Sequence, residues 1–170
     1  RNRRPDELDI DVVLHDEGAA SGWAREAAPG DSAAVSGPGR GSAPDPGAPA
    51  YLLAGDETAV PAIAQLLETM PAAERMAVLI ETTHPEDLPP LPERSDASPL
   101  WLPQDPAAAP GAELVPAVQA ADLPEDIRVW AAGEAATMQQ IRRLLAERGV
   151  PRPHTIVRGY WKQGKAAGAS

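Results

Sequence analysis

Apolar and polar positions alternate near the start of the chain. Leu8, Ile10, Val12 and Leu14 are apolar, Asp9 and Asp11 are polar between them, and Val13 is the exception. A period of two predicts a half-buried strand of an antiparallel sheet. A short helix is expected over about 19–28, ended by Pro29-Gly30, and a second short strand over 31–35. Residues 36–48 (SGPGRGSAPDPGA) break both patterns and are rich in Gly, Pro and Ser, which predicts a turn and linker at a domain boundary. They lack the Gly-Lys-Ser/Thr ending of a phosphate-binding loop.

Beyond Ala50 the pattern becomes an alternation of strands and helices. Residues 51–54 form a short apolar run, a strand. Over 58–70 the apolar side chains Val60, Ile63, Ala64, Leu66 and Leu67 recur at the spacing of one helix face. Thr58 is the expected N-cap and Pro61 stands in the first turn. Residues 76–82 (MAVLIET) are a continuous apolar run, the pattern of a parallel strand buried on both faces. A proline-rich loop over 84–99, a short strand over 100–102, a helix over 112–121 and a buried strand over 127–132 follow. The clearest helix is expected over 135–148. Met138, Ile141, Leu144 and Leu145 share one of its faces, and Gly149 stands where a C-cap belongs. A last strand is expected over 154–158. The alternation predicts an α/β fold, a parallel sheet flanked by helices, preceded by an antiparallel stretch. No internal repeat is present.

Composition narrows the chemistry. Hydrophobic residues make up 43% of the chain, but aromatics only 4% and Phe is absent, so the core must rest on Leu, Ile, Val and Ala. A net charge of −10 repels phosphate backbones and argues against nucleic-acid binding. The two lysines, Lys162 and Lys165, form a local cationic spot on this acidic chain. Without cysteine the chain supplies no disulfide, thiolate or iron–sulfur ligand. No apolar run has bilayer length and no signal-peptide pattern is present, so a cytoplasmic location is expected. His15, His84 and His154 are far apart and have no metal-ligand spacing.

Three turns carry the candidate chemistry. Gly55, Asp56, Glu57 and Thr58 lie between a strand and a helix, where ligands of open parallel sheets bind. Helix-start amides there can hold a phosphate, and Gly55 would let backbone approach it. The residues equally allow an ordinary capped turn, with acids favoured by the helix dipole. Gly133 and Glu134 repeat the same design after a buried strand, with the same two readings open. Tyr160 and Trp161 follow the last strand as a tail. They offer rings to a planar ligand, and Lys162 and Lys165 offer charge to an anion. A solvated terminus is the alternative there.

Together the motifs AGDETAVPAI (54–63), WAAGEAATMQQIRRLL (130–145) and GYWKQGK (159–165) resemble the siderophore-interacting protein family, within the ferredoxin–NADP reductase superfamily. LDIDVVLHDEGAASGWA (8–24) is similar to the family segment that ends its flavin barrel. The resemblance covers nearly the whole chain. It implies a remnant of the FAD-binding β-barrel over 1–42, a linker over 43–48, and an NAD(P)H-binding α/β domain of the ferredoxin-reductase type with its tail over 49–170. It also implies a ferric-siderophore reductase that passes electrons from NAD(P)H through FAD to siderophore-bound Fe(III).

Carried over by motif, Gly55, Asp56, Glu57, Thr58, Gly133 and Glu134 would sit beside the nicotinamide nucleotide. His15, Gly18, Ala20, Ser21 and Trp23 would lie near the FAD phosphates or adenosine. Tyr160 and Trp161 would lie towards the flavin and substrate, and Lys162 and Lys165 would draw in an anionic ferric siderophore. At the end of the second strand Glu81 would favour a free ribose 2′-hydroxyl, while His84 and the threonines Thr82 and Thr83 could tolerate a phosphate. The family also carries an Arg-x-Tyr-Thr/Ser motif that grips the isoalloxazine, and Arg1-Asn2-Arg3-Arg4 has no Tyr. Most of the barrel is therefore expected to be missing, with FAD held weakly if at all. The alternatives are a non-enzymatic siderophore- or partner-binding module, and a flavin reductase of the same superfamily with another acceptor.

Overall fold

The computed structural model describes residues 10, 12, 14, 19–34 and 44–164. The chain divides into two compact units, residues 1–39 with 164–170, and Arg40–Gln163.

In the first unit, α1 (Ala19–Glu26) buries Ser21 and exposes Ala20 and Trp23. A turn follows in which the Asp31 carboxylate accepts the Ala28 amide at 2.8 Å and Gly30 takes a φ of 102°. Asp31 is committed to closing this turn, and residues 31–34 carry no regular structure, so the strand expected there is not formed. Of the strand expected over 8–14, only Ile10, Val12 and Leu14 are described. All three are exposed and none is in a strand.

The second unit is built on five parallel strands, β1 (Ala50–Asp56), β2 (Arg75–Thr82), β3 (Ala97–Pro103), β4 (Ile127–Glu134) and β5 (Thr155–Trp161), in the order β3-β2-β1-β4-β5. The helices are α2 (Val60–Thr69), α3 (Leu114–Ala120) and α4 (Ala135–Glu147). Central strand β1 is buried along its whole length, because both of its faces are covered. Tyr51 and Leu53 pack on one face with Val60, Ile63 and Leu67 of α2. Leu52 and Ala54 pack on the other with Leu114 and Val118 of α3 and with Met138, Ile141 and Leu145 of α4. Burying each Leu or Ile contributes roughly 1.5–3 kcal/mol. The edge strands β3 and β5 are only partly buried, as the shorter apolar runs predict.

Two latches fix the elements that frame the sheet. The Tyr51 hydroxyl donates to the Asp45 carbonyl at 2.7 Å and accepts the Ala48 amide at 3.1 Å, which ties the entering segment to β1. Arg94 donates to the carbonyls of Leu67, Met70 and Pro71, satisfying the end of α2, and pairs with Asp96 at 2.7 Å.

Two expectations need correction. Thr58 is not an N-cap: a short 3-10 turn (Glu57–Ala59) precedes α2, and Asp56 caps it by accepting the Thr58 amide at 3.0 Å. An aspartate at a strand end reaches the second amide beyond it readily, whereas the Thr58 hydroxyl itself donates to Asp56. The aromatic pair is not a tail after the last strand either. β5 continues through Tyr160 and Trp161, because Gly159 pairs with Gly133, and Trp161 pairs with Glu134 after a shift in register.

Candidate functional site

Strand order reverses direction at β1, so the crevice between the carboxyl ends of β1 and β4 is where an open sheet binds its ligand. Gly55 to Thr58, Gly133 to Glu134 and Gly159 to Trp161 all lie on this edge, since Gly55 is in register with Ala132 and Gly133 with Gly159. The three segments separated in sequence, each at the end of a strand, therefore meet.

Asp56 is the centre of the edge. One of its oxygens accepts the Thr58 amide and hydroxyl. The other accepts the Glu134 amide and the Trp161 indole Nε1–H, each at 2.8 Å. One carboxylate thus joins the ends of three strands. The glycines around it serve this closeness. A Cβ on Gly133 would stand 2.5 Å from an Asp56 oxygen, and a Cβ on Gly55 would stand 2.4 Å from that of Ala59 and 2.5 Å from the Ala132 carbonyl. The approach expected between Gly55 and a ligand is taken up by protein packing.

Glu134 caps α4: its carboxylate accepts the Thr137 amide at 2.8 Å and, more weakly, the Gln163 amide at 3.4 Å. Burial opposes its ionisation, but the amide hydrogen bonds of Thr137, Gln163 and Ala136 outweigh it and hold the carboxyl below the usual range. Thr137 in turn donates to the Pro110 carbonyl at 2.9 Å. The next residue, Gly111, donates its amide to Glu81 at 2.7 Å. A polar network therefore runs from Trp161 on β5 to Glu81 on β2. Glu81 is buried and accepts two further amides, Glu113 at 2.8 Å and Leu114 at 3.1 Å, at the start of α3. It is committed to the helix rather than free for a ribose, correcting that expectation. His84 is exposed beside Glu86, 3.5 Å away.

What the edge leaves open is aromatic and cationic. Trp161 is 39% exposed and Tyr160 47%. Tyr160 meets Trp130 edge-on, with ring centroids 6.4 Å apart and an angle of 78°. Lys162, the next residue along the chain, is exposed, and so is Glu57 on the β1 turn. Exposed rings beside a cation fit a planar anionic cofactor. A phosphate cradle at Gly55–Thr58 does not fit, because the Thr58 amide is taken by Asp56 and the carboxylates of Asp56, Glu57 and Glu134 crowd the helix starts. Ala20, Ser21 and Trp23 belong to the first unit, while His15, Gly18 and Lys165 lie outside the described residues. The Asp56–Trp161 bond and the use of Glu81 were not read from the sequence. An acid closing an apolar strand was the only local signal for either. No helix among the described residues is long and apolar enough to cross a membrane.

Residues 48–164 match the family model described as siderophore-interacting protein, and residues 1–42 match the siderophore-interacting FAD-binding domain. The crystal structure of the siderophore-interacting protein SipS from Aeromonas hydrophila is 33% identical with a TM-score of 0.76, over 90% of this chain and 61% of that one. A siderophore utilization protein from T. fusca is 38% identical with a TM-score of 0.76, over 91% and 60%. The ferric vibriobactin reductase ViuB of Vibrio cholerae is 35% identical over 169 residues, 94% of this chain and 60% of its own length. The chain thus spans about three-fifths of the length of each of these three relatives.

Proposed function

The chain belongs to the siderophore-interacting protein family, and on that premise we propose that it is the nicotinamide-binding part of a flavin-dependent ferric-siderophore reductase acting in the cytoplasm. In this reading residues 1–42 belong to the FAD-binding domain, 43–48 are the linker and 49–170 the NAD(P)H-binding domain with its tail. The observation that carries it is the meeting of the β1, β4 and β5 ends, within the matched segment, at the switch point of a parallel sheet. A relative of nearly full coverage of this chain is a ferric vibriobactin reductase.

Bound FAD would supply the redox chemistry, a relay of the two electrons of a hydride from NAD(P)H, one at a time, to two siderophore-held Fe(III) ions that would be released as Fe(II). The residues of the chain position the reactants. Tyr160 and Trp161 present ring faces at the sheet edge, and Gly133 and Glu134 hold the backbone beneath them. Asp56 and Thr58 fix the β1 turn, with Gly55 at its close approach to β4 and Glu57 exposed beside it. Lys162 and Lys165 attract an anionic ferric siderophore. By the family resemblance, His15, Gly18, Ala20, Ser21 and Trp23 would belong to the part of the FAD site near its phosphates or adenosine.

Calorimetric titration of the purified chain with NADH and NADPH tests this. Saturable binding of either is expected. The absence of both, with a ferric siderophore still bound, would instead identify a siderophore-binding module.

A further inference from the structure

Asp56 has no hydrogen-bonding capacity left for a ligand. Each carboxylate oxygen already accepts two donors, the Thr58 amide and hydroxyl on one side and the Glu134 amide and Trp161 indole on the other. A group so engaged acts through its partners. Two of the four donors belong to exposed side chains, Thr58 and Trp161, and of these only the indole offers an aromatic face: Trp161 is 39% exposed.

The indole has a single polar atom, a donor, and Asp56 holds it at 2.8 Å. Torsion of an aromatic ring about its second side-chain bond is otherwise broad. Among the described residues β5 is an edge strand whose one sheet neighbour is β4, and no further described strand confines the ring. Gly133 makes the contact possible, because a Cβ there would stand 2.5 Å from the oxygen that reaches Trp161. The neighbouring ring, Tyr160, is held differently, edge-on against Trp130.

We propose that Asp56 is a positioning residue that sets the orientation of the Trp161 indole, whose open face is the stacking surface for the planar ring of the nicotinamide nucleotide. This rests on the function proposed above. A ring already ordered before binding loses less side-chain freedom when the ligand arrives, so the tether raises affinity without touching the ligand.

The test is a double-mutant cycle on the full chain, with Trp161→Phe, Asp56→Ala and both together. Nucleotide affinity is read by calorimetry, and folding by thermal melting. Trp161→Phe keeps a ring but removes the tether, and is expected to weaken nucleotide binding about fivefold, the order of one ordered side chain. Asp56→Ala is expected to weaken it to a similar degree alone, and to add less than about twofold in the Trp161→Phe background. Tryptophan emission, compared with and without Trp161, should shift in Asp56→Ala as the indole is released. If the wild type binds neither nucleotide, the function itself is wrong. If the wild type binds but Trp161→Phe binds equally well, or the two substitutions add independently, the positioning role alone is wrong. Should Asp56→Ala not fold, the Trp161→Phe affinity decides.

Discussion

Two buried carboxylates close adjacent strands at the same level of the sheet. Asp56 of β1 is the register partner of Glu81 of β2. They are 8% and 1% exposed, and Asp56 accepts four protein donors while Glu81 accepts three. Their partners differ in kind. Among the described residues, the donors to Glu81 are all backbone amides, Gly111, Glu113 and Leu114, from the segment that opens α3. It fixes one helix start to the sheet, with helix amides and dipole on its side. Asp56 accepts from its own turn, from β4 and from β5, and two of its donors are side chains. A carboxylate that serves only backbone is part of the scaffold. One that reaches an exposed ring couples scaffold to surface. The β2 side of the edge is therefore expected to govern stability, and the β1–β4–β5 side to govern binding.

The sharpest way to break this division is Glu81→Ala. It strips three amides of their acceptor, two of them buried, in the interior of the fold. A cost of about 4 kcal/mol in denaturant unfolding is expected. If nucleotide affinity falls and stability does not, the two carboxylates have been assigned the wrong way round. Gly133→Ala comes next. Its new Cβ would press on Asp56 at 2.5 Å. Overpacking there is expected to cost about 2 kcal/mol. Unlike Glu81→Ala it should also alter the Trp161 emission, and an unchanged emission would separate Gly133 from the Asp56–Trp161 contact.

A third carboxylate provides a reference with a charged partner. Hydrogen bonds from Arg94, then from the Ala73 amide, hold Asp96 well below the usual carboxylate range. A depressed value in the folded state means that its stabilisation is complete above the unfolded-state value near pH 4. It is lost as pH falls from there through the folded-state value. Asp96→Asn should cost about 1.5 kcal/mol at neutral pH. It should also flatten the decline of unfolding free energy below about pH 4. An acid slope identical to wild type would place the acid-sensitive group elsewhere.

The sequence made much of the second unit legible. Periodicity located all five strands and three helices of the parallel sheet, because runs such as 76–82 are buried on both faces and must be apolar throughout. Motif order also brought the Gly55, Gly133 and Gly159 turns to one edge. The use of each side chain was not legible. The Asp56–Trp161 bond spans 105 positions, and Glu81 meets amides 30 to 33 positions away. Such contacts depend on strand register, and no local pattern encodes the shift between Gly133 and Glu134 that brings Trp161 opposite. The acids therefore looked like ligand-facing groups, when both are occupied within the fold. Thr58 misled for a related reason. A threonine before a helix usually caps it, but an aspartate two residues earlier, fixed at a strand end, took that place.

The smallest expected effect concerns the ring beside Trp161. Tyr160 shares its strand but not its tether, so the division predicts that removing the Tyr160 hydroxyl leaves both sides of the edge intact. Tyr160→Phe keeps the edge-on contact with Trp130 and should change unfolding by less than roughly 0.5 kcal/mol. Alkaline titration isolates the group. Burial raises the Tyr160 phenol above its ordinary value, and the Arg158 charge partly offsets this. Tyr51 is raised as well, mainly by burial, with Asp45 adding and the Ala48 amide and Arg128 opposing. These are the two tyrosines of the chain, so phenolate absorbance should develop wholly above the ordinary range, near pH 10. A phenol raised in the folded state favours folding below the unfolded-state value, and this contribution fades as pH rises through the folded one. Tyr160→Phe should remove one phenolate step and leave the Trp161 emission unchanged across the titration. A Trp161 signal that follows Tyr160 ionisation would show the two rings to be coupled, and would place on Tyr160 part of the role assigned here to Asp56.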